Sequence, residues 1–388
     1  MRPHGLVPRL QPFTSTIFAE MTALAVRTGA VNLGQGFPDT DGPPGMLEVA
    51  REAIAEGVNQ YPPGPGMPDL RAAIAQDRAR CGLSPDPDTE VLVSVGATEA
   101  ISAALLALVH AGDEVLLVEP YYDSYPAAVA MAGATRRSVP LVPDGDRFAL
   151  DVDALRAATT PATRAVLLNT PHNPTGTVFT RAELTAVAEL AVERDLLVIT
   201  DEVYEHLVFD GAVHVPIASL PGMAQRTLSV SSAGKTFSVT GWKIGWVCGP
   251  APLVSAVQAA KQFLTFVGGA PFQPAVAHAL RAELGWVEKH RVALQGKQHR
   301  LAQGLHAAGL EARRSEGTYF VCADVRPLGA SDGIEFCRAL PERAGVVAVP
   351  VQVFADDPEP WRHLVRFAFC KRDDVLDEAV ARLAALAP

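Results

Sequence analysis

Short, mostly apolar runs of strand-forming residues, each followed by a stretch with helical spacing, recur through the first two thirds of this chain. The runs are residues 91–95, 115–119, 165–169, 196–200, 227–231 and 244–248. Residues 98–109, 125–132 and 182–194 carry the helical pattern, the last with Thr180 at the N-cap position. Strands that are apolar on both faces and alternate with helices fit a largely parallel sheet covered on both sides. Ligands of such sheets gather at the carboxyl ends of the strands, so the residues just after each run are the most informative.

Past residue 252 the pattern changes. Residues 252–266 and 272–308 read as long helices, the second broken around Gly285 or Gly296. Shorter elements follow at 319–324, 332–340, 346–349 and 364–369, with a last helix from 374. This predicts a smaller α+β domain after a larger α/β one. The Pro/Gly-rich stretches 34–45 and 61–68 are too long for simple turns, which favours a functional role.

Composition narrows the class of function. The chain has 388 residues, 48% of them hydrophobic, and its 33 basic against 43 acidic side chains leave a net charge of −10. That balance argues against nucleic acid as a partner, which needs clustered Lys and Arg. The apolar runs fall far short of the ~20 residues of a membrane helix. Residues 1–13 hold no apolar stretch of signal-peptide length. Five cysteines (Cys81, Cys248, Cys322, Cys337, Cys370) without a CxxC pair fit reduced thiols in a cytoplasmic protein better than disulfides or a metal site.

Four segments at strand ends carry chemistry. Ser231-Ser232-Ala233-Gly234-Lys235 places a lysine past a strand among small residues. It is either a solvated charge or an amine for Schiff-base chemistry with a carbonyl compound such as pyridoxal phosphate. Asp201 closes a strongly apolar strand. It is either a helix N-cap or the partner of a protonated pyridine nitrogen, with Tyr204 in reach of the same cofactor or serving the core. Asn169-Thr170-Pro171-His172-Asn173-Pro174-Thr175-Gly176 is a turn that either shapes a loop or offers two amides and an imidazole to a ligand. In Val95-Gly96-Ala97-Thr98-Glu99 a helix begins after a glycine, either to meet a phosphate or with Thr98 as a cap. The dinucleotide fingerprint GxGxxG does not occur, which counts against a nicotinamide enzyme.

Together these segments resemble the class I/II aminotransferases of the pyridoxal-phosphate fold-type I superfamily. NPTG around Asn173, DEVY from Asp201, SSAGK ending at Lys235 and a late Arg366 stand in the family's order. The likeness is nearest to the branch of kynurenine/glutamine aminotransferases and bacterial N-succinyldiaminopimelate aminotransferases. Gly34-Gln35-Gly36-Phe37-Pro38-Asp39, Tyr121-Tyr122-Asp123-Ser124-Tyr125 and Thr240-Gly241-Trp242-Lys243-Ile244-Gly245-Trp246 carry that closer match.

The resemblance implies an α/β fold: a large domain with a mostly parallel seven-stranded sheet between helices (residues 35–280), a smaller α+β domain (281–388), and an N-terminal segment (1–34) packing with the latter. It implies pyridoxal 5′-phosphate as cofactor, held covalently by Lys235, with Asp201 on its ring nitrogen, Tyr204 and Asn173 on its ring oxygen and Tyr122 against its face. Gly96, Ala97, Thr98, Ser232 and Lys243 would hold the phosphate; Lys243 stands where many members carry arginine. Tyr61 matches a position that reaches the neighbouring subunit's phosphate, which implies a homodimer. Arg366 matches the clamp on the substrate α-carboxylate, although a surface salt bridge is the plain reading of the same strand pattern. Gly36 would add a main-chain contact and Phe18 an aromatic wall.

The activity so implied is ping-pong transfer of an amino group from an L-amino acid to a 2-oxo acid. The open alternatives are β-elimination from cysteine conjugates at the same site, or a specialised basic amino acid as substrate. The acidic stretch Asp356-Asp357-Pro358-Glu359-Pro360 either draws such a base or is simply solvated. A transcriptional regulator with an aminotransferase-like domain would need an appended DNA-binding module, for which the match leaves no spare residues, and a catalytically dead scaffold would need vacant chemical positions.

Overall fold

The computed structural model describes residues 5–14 and 16–387; residues 1–4, where the expected N-terminal segment and the targeting reading begin, lie outside them. The central sheet has seven strands: β1 (Val91–Ser94), β2 (Glu114–Glu119), β3 (Thr135–Pro140), β4 (Thr163–Asn169), β5 (Leu197–Asp201), β6 (Thr227–Ser232) and β7 (Gly245–Cys248). Their order across the sheet is β1-β7-β6-β5-β4-β2-β3. Every neighbouring pair is parallel except those of β7, which runs antiparallel to both β1 and β6.

Both faces of this sheet are buried, as continuous apolar runs require. Val115 and Leu117 of β2 join one core with Ile199, Val230 and the helix Gly96–Leu108, while Leu116 and Val118 join another with Val198, Leu184 and Val187. The period-two alternation of side chains thus feeds two separate cores from one strand. The helix Arg181–Glu193 opens with the expected Thr180 cap, completed by Glu183 into a reciprocal capping box.

Six of the seven strands match apolar runs in the sequence. The seventh, β3, is the edge strand Thr-Arg-Arg-Ser-Val-Pro and is mostly exposed; a strand with one side in water needs no apolar run. Three further differences have local causes. The helix expected to reach residue 266 ends at Lys261, and the chain then turns through Phe266 at φ 62°. The long helical region breaks at Glu283, between Phe272–Ala282 and Leu284–Ala307, and Gly296 lies inside the second helix. Helices Ile17–Thr28, Pro44–Ala55 and Pro68–Arg78 occupy stretches where no helix had been read.

A second sheet of four strands combines β8 (Glu311–Ala312), β9 (Phe320–Asp324), β10 (Val349–Pro350) and β11 (Leu364–Ala368), all pairs antiparallel. Helix Ile17–Thr28 packs through Met21 and Leu24 into its core beside Leu301 and Phe336. Val31–Asn32 pairs in parallel with Val346–Val347. Among the described residues no helix is long and apolar enough to cross a membrane, and all five cysteines are free thiols, four of them buried.

One polar cluster lies behind the strand ends. Arg78 is buried and donates to Glu202 (2.9 Å) and Glu205 (2.8 Å), and Arg80 pairs with Glu205 and Asp77. His206 and His214 stand close enough to complete two groups of possible metal ligands, but their carboxylates already neutralise two guanidinium groups. Removing one partner from a buried pair leaves an uncompensated charge. Arg78→Met is therefore expected to lower unfolding free energy by about 3–5 kcal/mol, measured by urea denaturation. Adding Glu202→Gln and Glu205→Gln to it should recover much of that loss; a single-variant loss under about 1 kcal/mol, the scale of a surface pair, would contradict the account.

Candidate active site

The carboxyl ends of β4, β5 and β6 and the start of helix Gly96–Leu108 converge on one cavity of about 370 Å³. Parallel pairing sets Asn169, the last residue of β4, level with Asp201, the last of β5. Gly36, Gly96, Ala97, Thr98, Tyr122 and Asn173 line the cavity, and so do Asp201, Tyr204, Ser232, Lys235, Lys243, Phe18 and Arg366. Of the residues that the sequence offered to a ligand, Tyr61 and His172 are absent from this lining. The Tyr61 ring is 81% exposed and packs edge-on against Phe266 at 5.3 Å.

Asp201 is not a helix cap, since the chain continues from it into turns. Its Oδ2 accepts from the Tyr125 hydroxyl (2.7 Å) and its Oδ1 from the Val203 N–H (3.2 Å). Burial raises its carboxyl to about 6 against the pull of these donors and of Lys235. Lys235 stands on the short helix Ala233–Thr236 after β6. Its Nζ lies 5.9 and 5.6 Å from the ring centres of Tyr204 and Tyr319. Desolvation, aided by the nearby charges of Lys243 and Arg366 against Asp201 and Cys370, lowers its amine to about 8. The solvated-charge reading of this lysine therefore fails.

The helix at Gly96 begins without a side-chain cap. Thr98 makes no such bond; instead Glu99 reaches back to accept from the Val95 N–H at 2.6 Å. Gly96 sits at φ 79°, and a Cβ there would meet the Lys243 Nζ at 3.0 Å. The first N–H groups, the positive end of the helix dipole and an ammonium group thus share one spot, which suits a phosphate-sized anion.

Arg366, from β11, is 2% exposed, so it is no surface salt bridge. It donates from Nη1 to Asn173 Oδ1 (2.9 Å) and from Nη2 to the Gly34 carbonyl (3.0 Å), while its Nε has no partner. Its Cζ lies 4.0 Å from the centre of the Phe320 ring and 5.3 Å from that of Phe18. A buried cation with a free donor, facing a cavity and bonded only to neutral oxygens, is matched to a carboxylate ligand.

One sequence expectation changes here. His172 turns away from the cavity: its Nδ1 lies 2.8 Å from Thr175 Oγ1, and burial pushes the imidazole down to about 3. The acidic stretch 356–360 is exposed to solvent, and Asp356 is in addition engaged by Arg136 (2.6 Å), Ser138 (2.7 Å) and Tyr121 (2.8 Å). Residues whose partners the sequence does not show also take part. Asn169 donates to the Asp201 carbonyl (2.9 Å) and accepts from the Asn173 N–H (2.7 Å), fixing both strand ends. Tyr125, inside the quoted aromatic segment, is the direct partner of Asp201, and Phe320 joins the cavity wall.

Comparison with known proteins agrees with this geometry. The profile of the family "Aminotransferase class I and II" matches residues 28–383. The probable N-succinyldiaminopimelate aminotransferase DapC of Mycobacterium tuberculosis is 62% identical over 98% of both chains. The solved structure of N-succinyldiaminopimelate aminotransferase from that organism superposes with a TM-score of 0.97 at 63% identity, covering 99% of this chain and 100% of the other. Mouse kynurenine–oxoglutarate transaminase 3 is 38% identical, over 96% of this chain and 88% of its own. The chain belongs to the class I and II aminotransferases.

Proposed function

We propose that this aminotransferase moves an amino group between N-succinyldiaminopimelate and a 2-oxo acid in a ping-pong sequence, with pyridoxal 5′-phosphate, the cofactor of its family, in the cavity. The observation that carries the chemistry is the convergence of Lys235 and Arg366 on one cavity that a helix start also lines. The substrate rests on the full-length likeness to the mycobacterial enzyme. The pairing of Asp356 with Arg136 speaks against the alternative of a basic amino acid recognised by that loop. The same reading divides the chain at residues 34 and 280, as expected from sequence.

The side chains present fit the cofactor. Lys243, Thr98, Ser232 and the Ala97 N–H would hold its phosphate beside Gly96, and Tyr122 would cover its face. Asp201 would face its ring nitrogen, and Tyr204 and Asn173 its ring oxygen. When bound, the cofactor supplies an electron-poor ring that makes the substrate Cα–H acidic. Lys235 Nζ would take the substrate Cα proton; an amine lowered to about 8 can both take and return a proton near neutral pH. Asp201, kept in place by Tyr125 and Val203, would hold a proton on the ring nitrogen. Arg366, with the Gly36 main chain, orients the substrate by its α-carboxylate, and Phe18 closes the wall.

Tyr61, Phe266, Phe263 and Leu264 form an exposed apolar patch; Phe263 is 85% exposed. Such a patch favours association, and a second copy of this chain is its proposed occupant, with Tyr61 reaching the neighbour's phosphate site. Sedimentation should then give twice 41.1 kDa, and Tyr61→Phe should weaken cofactor binding roughly three- to tenfold. A monomer with full activity would sink this part.

With purified holoenzyme, N-succinyldiaminopimelate is expected to exceed methionine and kynurenine in kcat/KM by at least about tenfold, the discrimination of a site built around polar groups. A preference for either of the others would overturn the substrate assignment. Lys235→Ala should lower kcat by at least about a thousandfold, and Asp201→Ala should lower kcat far more than it changes KM.

The amine of Lys235 predicts a pH dependence in the cofactor-free enzyme. A depressed amine is half neutral near pH 8 rather than 10.5, so covalent uptake of pyridoxal 5′-phosphate should accelerate as pH rises toward and through about 8. The cost of burying the charged form is fully present below pH 8 and disappears between about 8 and 10.5. Lys235→Met is accordingly expected to raise the melting temperature at pH 7, with the gain shrinking across that window.

A further inference from the structure

Tyr319 lies outside the cavity lining and touches three of the segments that build it. Its ring is 1% exposed, and its hydroxyl donates to the Gly36 carbonyl at 2.5 Å. The ring meets Tyr204 edge-to-face, with centres 5.1 Å apart at 89°. Gly36 rests on this residue and its neighbour: a Cβ there would fall 2.5 Å from the Phe320 ring and 3.3 Å from Tyr319 Cε2. The main chain at Gly36 is therefore pressed against the pair from one side and hydrogen-bonded to Tyr319.

The backbone is bent to deliver these two rings. Thr318 adopts φ 69°, a left-handed conformation that is an outlier for a β-branched residue. Its N–H donates to the Leu207 carbonyl (2.9 Å), and its Oγ1 accepts from the Phe320 N–H (3.1 Å). A Cβ on Gly317 would collide with Pro171 and Leu207, so the turn is closely packed on the loops after β4 and β5. Strain held in place by packing next to a site points to a placement the site needs. A phenylalanine would fill the same space at 319; the hydroxyl adds the bond to Gly36 and stands close to the Tyr204 hydroxyl.

We propose that Tyr319 is a positioning residue for both halves of the active site: its hydroxyl sets the Gly36 main chain at the carboxylate subsite, and its ring edge sets Tyr204. This rests on the reading above of Gly36 with Arg366 as the carboxylate subsite and of Tyr204 as the ring-oxygen ligand. The two halves separate by substitution. Tyr319→Phe removes the bond to Gly36 and keeps the ring against Tyr204; Tyr319→Leu removes both.

The test uses the holoenzyme, with KM for the amino donor, Ki for succinate as an unreactive carboxylate, kcat, melting temperature, and the cofactor dissociation constant. Tyr319→Phe is expected to raise KM and Ki together by roughly three- to tenfold, with kcat within about twofold and the cofactor constant unchanged. Tyr319→Leu should in addition loosen the cofactor severalfold. Unchanged KM and Ki in Tyr319→Phe would overturn the proposal, as would a rise in KM matched by equal losses in kcat and cofactor affinity, the pattern of a general structural defect. Arg366→Lys separates the causes of failure. If it raises Ki while Tyr319→Phe does not, the role of Tyr319 alone is wrong; if neither raises Ki, the carboxylate subsite itself is wrong.

Discussion

The arrangement depends on a guanidinium group held in the interior without an anion. Arg366 gives two of its donors to neutral oxygens, one on Asn173 and one on Gly34, and these belong to segments far apart in sequence. Phe320, Phe18 and Phe354 surround its plane and exclude the water that would otherwise solvate it. Such burial is costly unless a partner compensates it. Here the compensation is incomplete: Nε has no partner, and the residue lines the cavity, an arrangement that would favour an incoming carboxylate. The same two hydrogen bonds tie β11 to the loop after β4 and to the strap that carries Gly36, which makes the surroundings of Arg366 a product of three chain segments.

Across the cavity the logic is repeated with opposite signs. Burial pushes the Asp201 carboxyl up and the Lys235 amine down, bringing the two toward each other and toward neutral pH. Neither group is neutralised by a direct ion pair. Tyr125 and Val203 orient the carboxylate without cancelling its charge, and the amine is flanked by aromatic rings. A site arranged this way keeps its charges available, at the expense of stability. The chain as a whole carries a net charge of −10, and that figure says nothing about a cavity whose nearest charges are Lys235, Lys243, Arg366 and one aspartate.

How much of this was legible in the sequence follows from where information sits in a parallel sheet. β4 and β5 end in residues whose chemistry departs from the apolar run before them, and the short helix after β6 brings another, so Asn169, Asp201 and Lys235 mark their own positions. β3 does not announce itself, since an edge strand of Thr, Arg and Ser has no apolar signature. The break at Glu283 was placed at glycines because glycine is the weakest helix former, yet Gly296 is accommodated within a helix whose packing outweighs propensity. His172 looked like a ligand by residue type, and only the fold shows it bonded to Thr175 and facing inward. Tyr319 was invisible for a different reason: its contact with Gly36 spans 283 residues, and no local pattern encodes a pairing of that separation.

The turn after β5 shows how one short segment serves two purposes. Asp201 and Glu202 are consecutive, and at the end of a strand consecutive side chains point to opposite sides. Asp201 enters the cavity, while Glu202 joins Arg78 and, with Glu205, anchors the turn from behind. Tyr204 lies between the two anchors and leans on Tyr319 at the front. The ion pairs contribute little net stability, because desolvating both charges offsets most of their attraction. Their value is geometric: a carboxylate that must meet Arg78 at 2.9 Å cannot let the turn rotate, and the aspartate one residue earlier inherits that restriction.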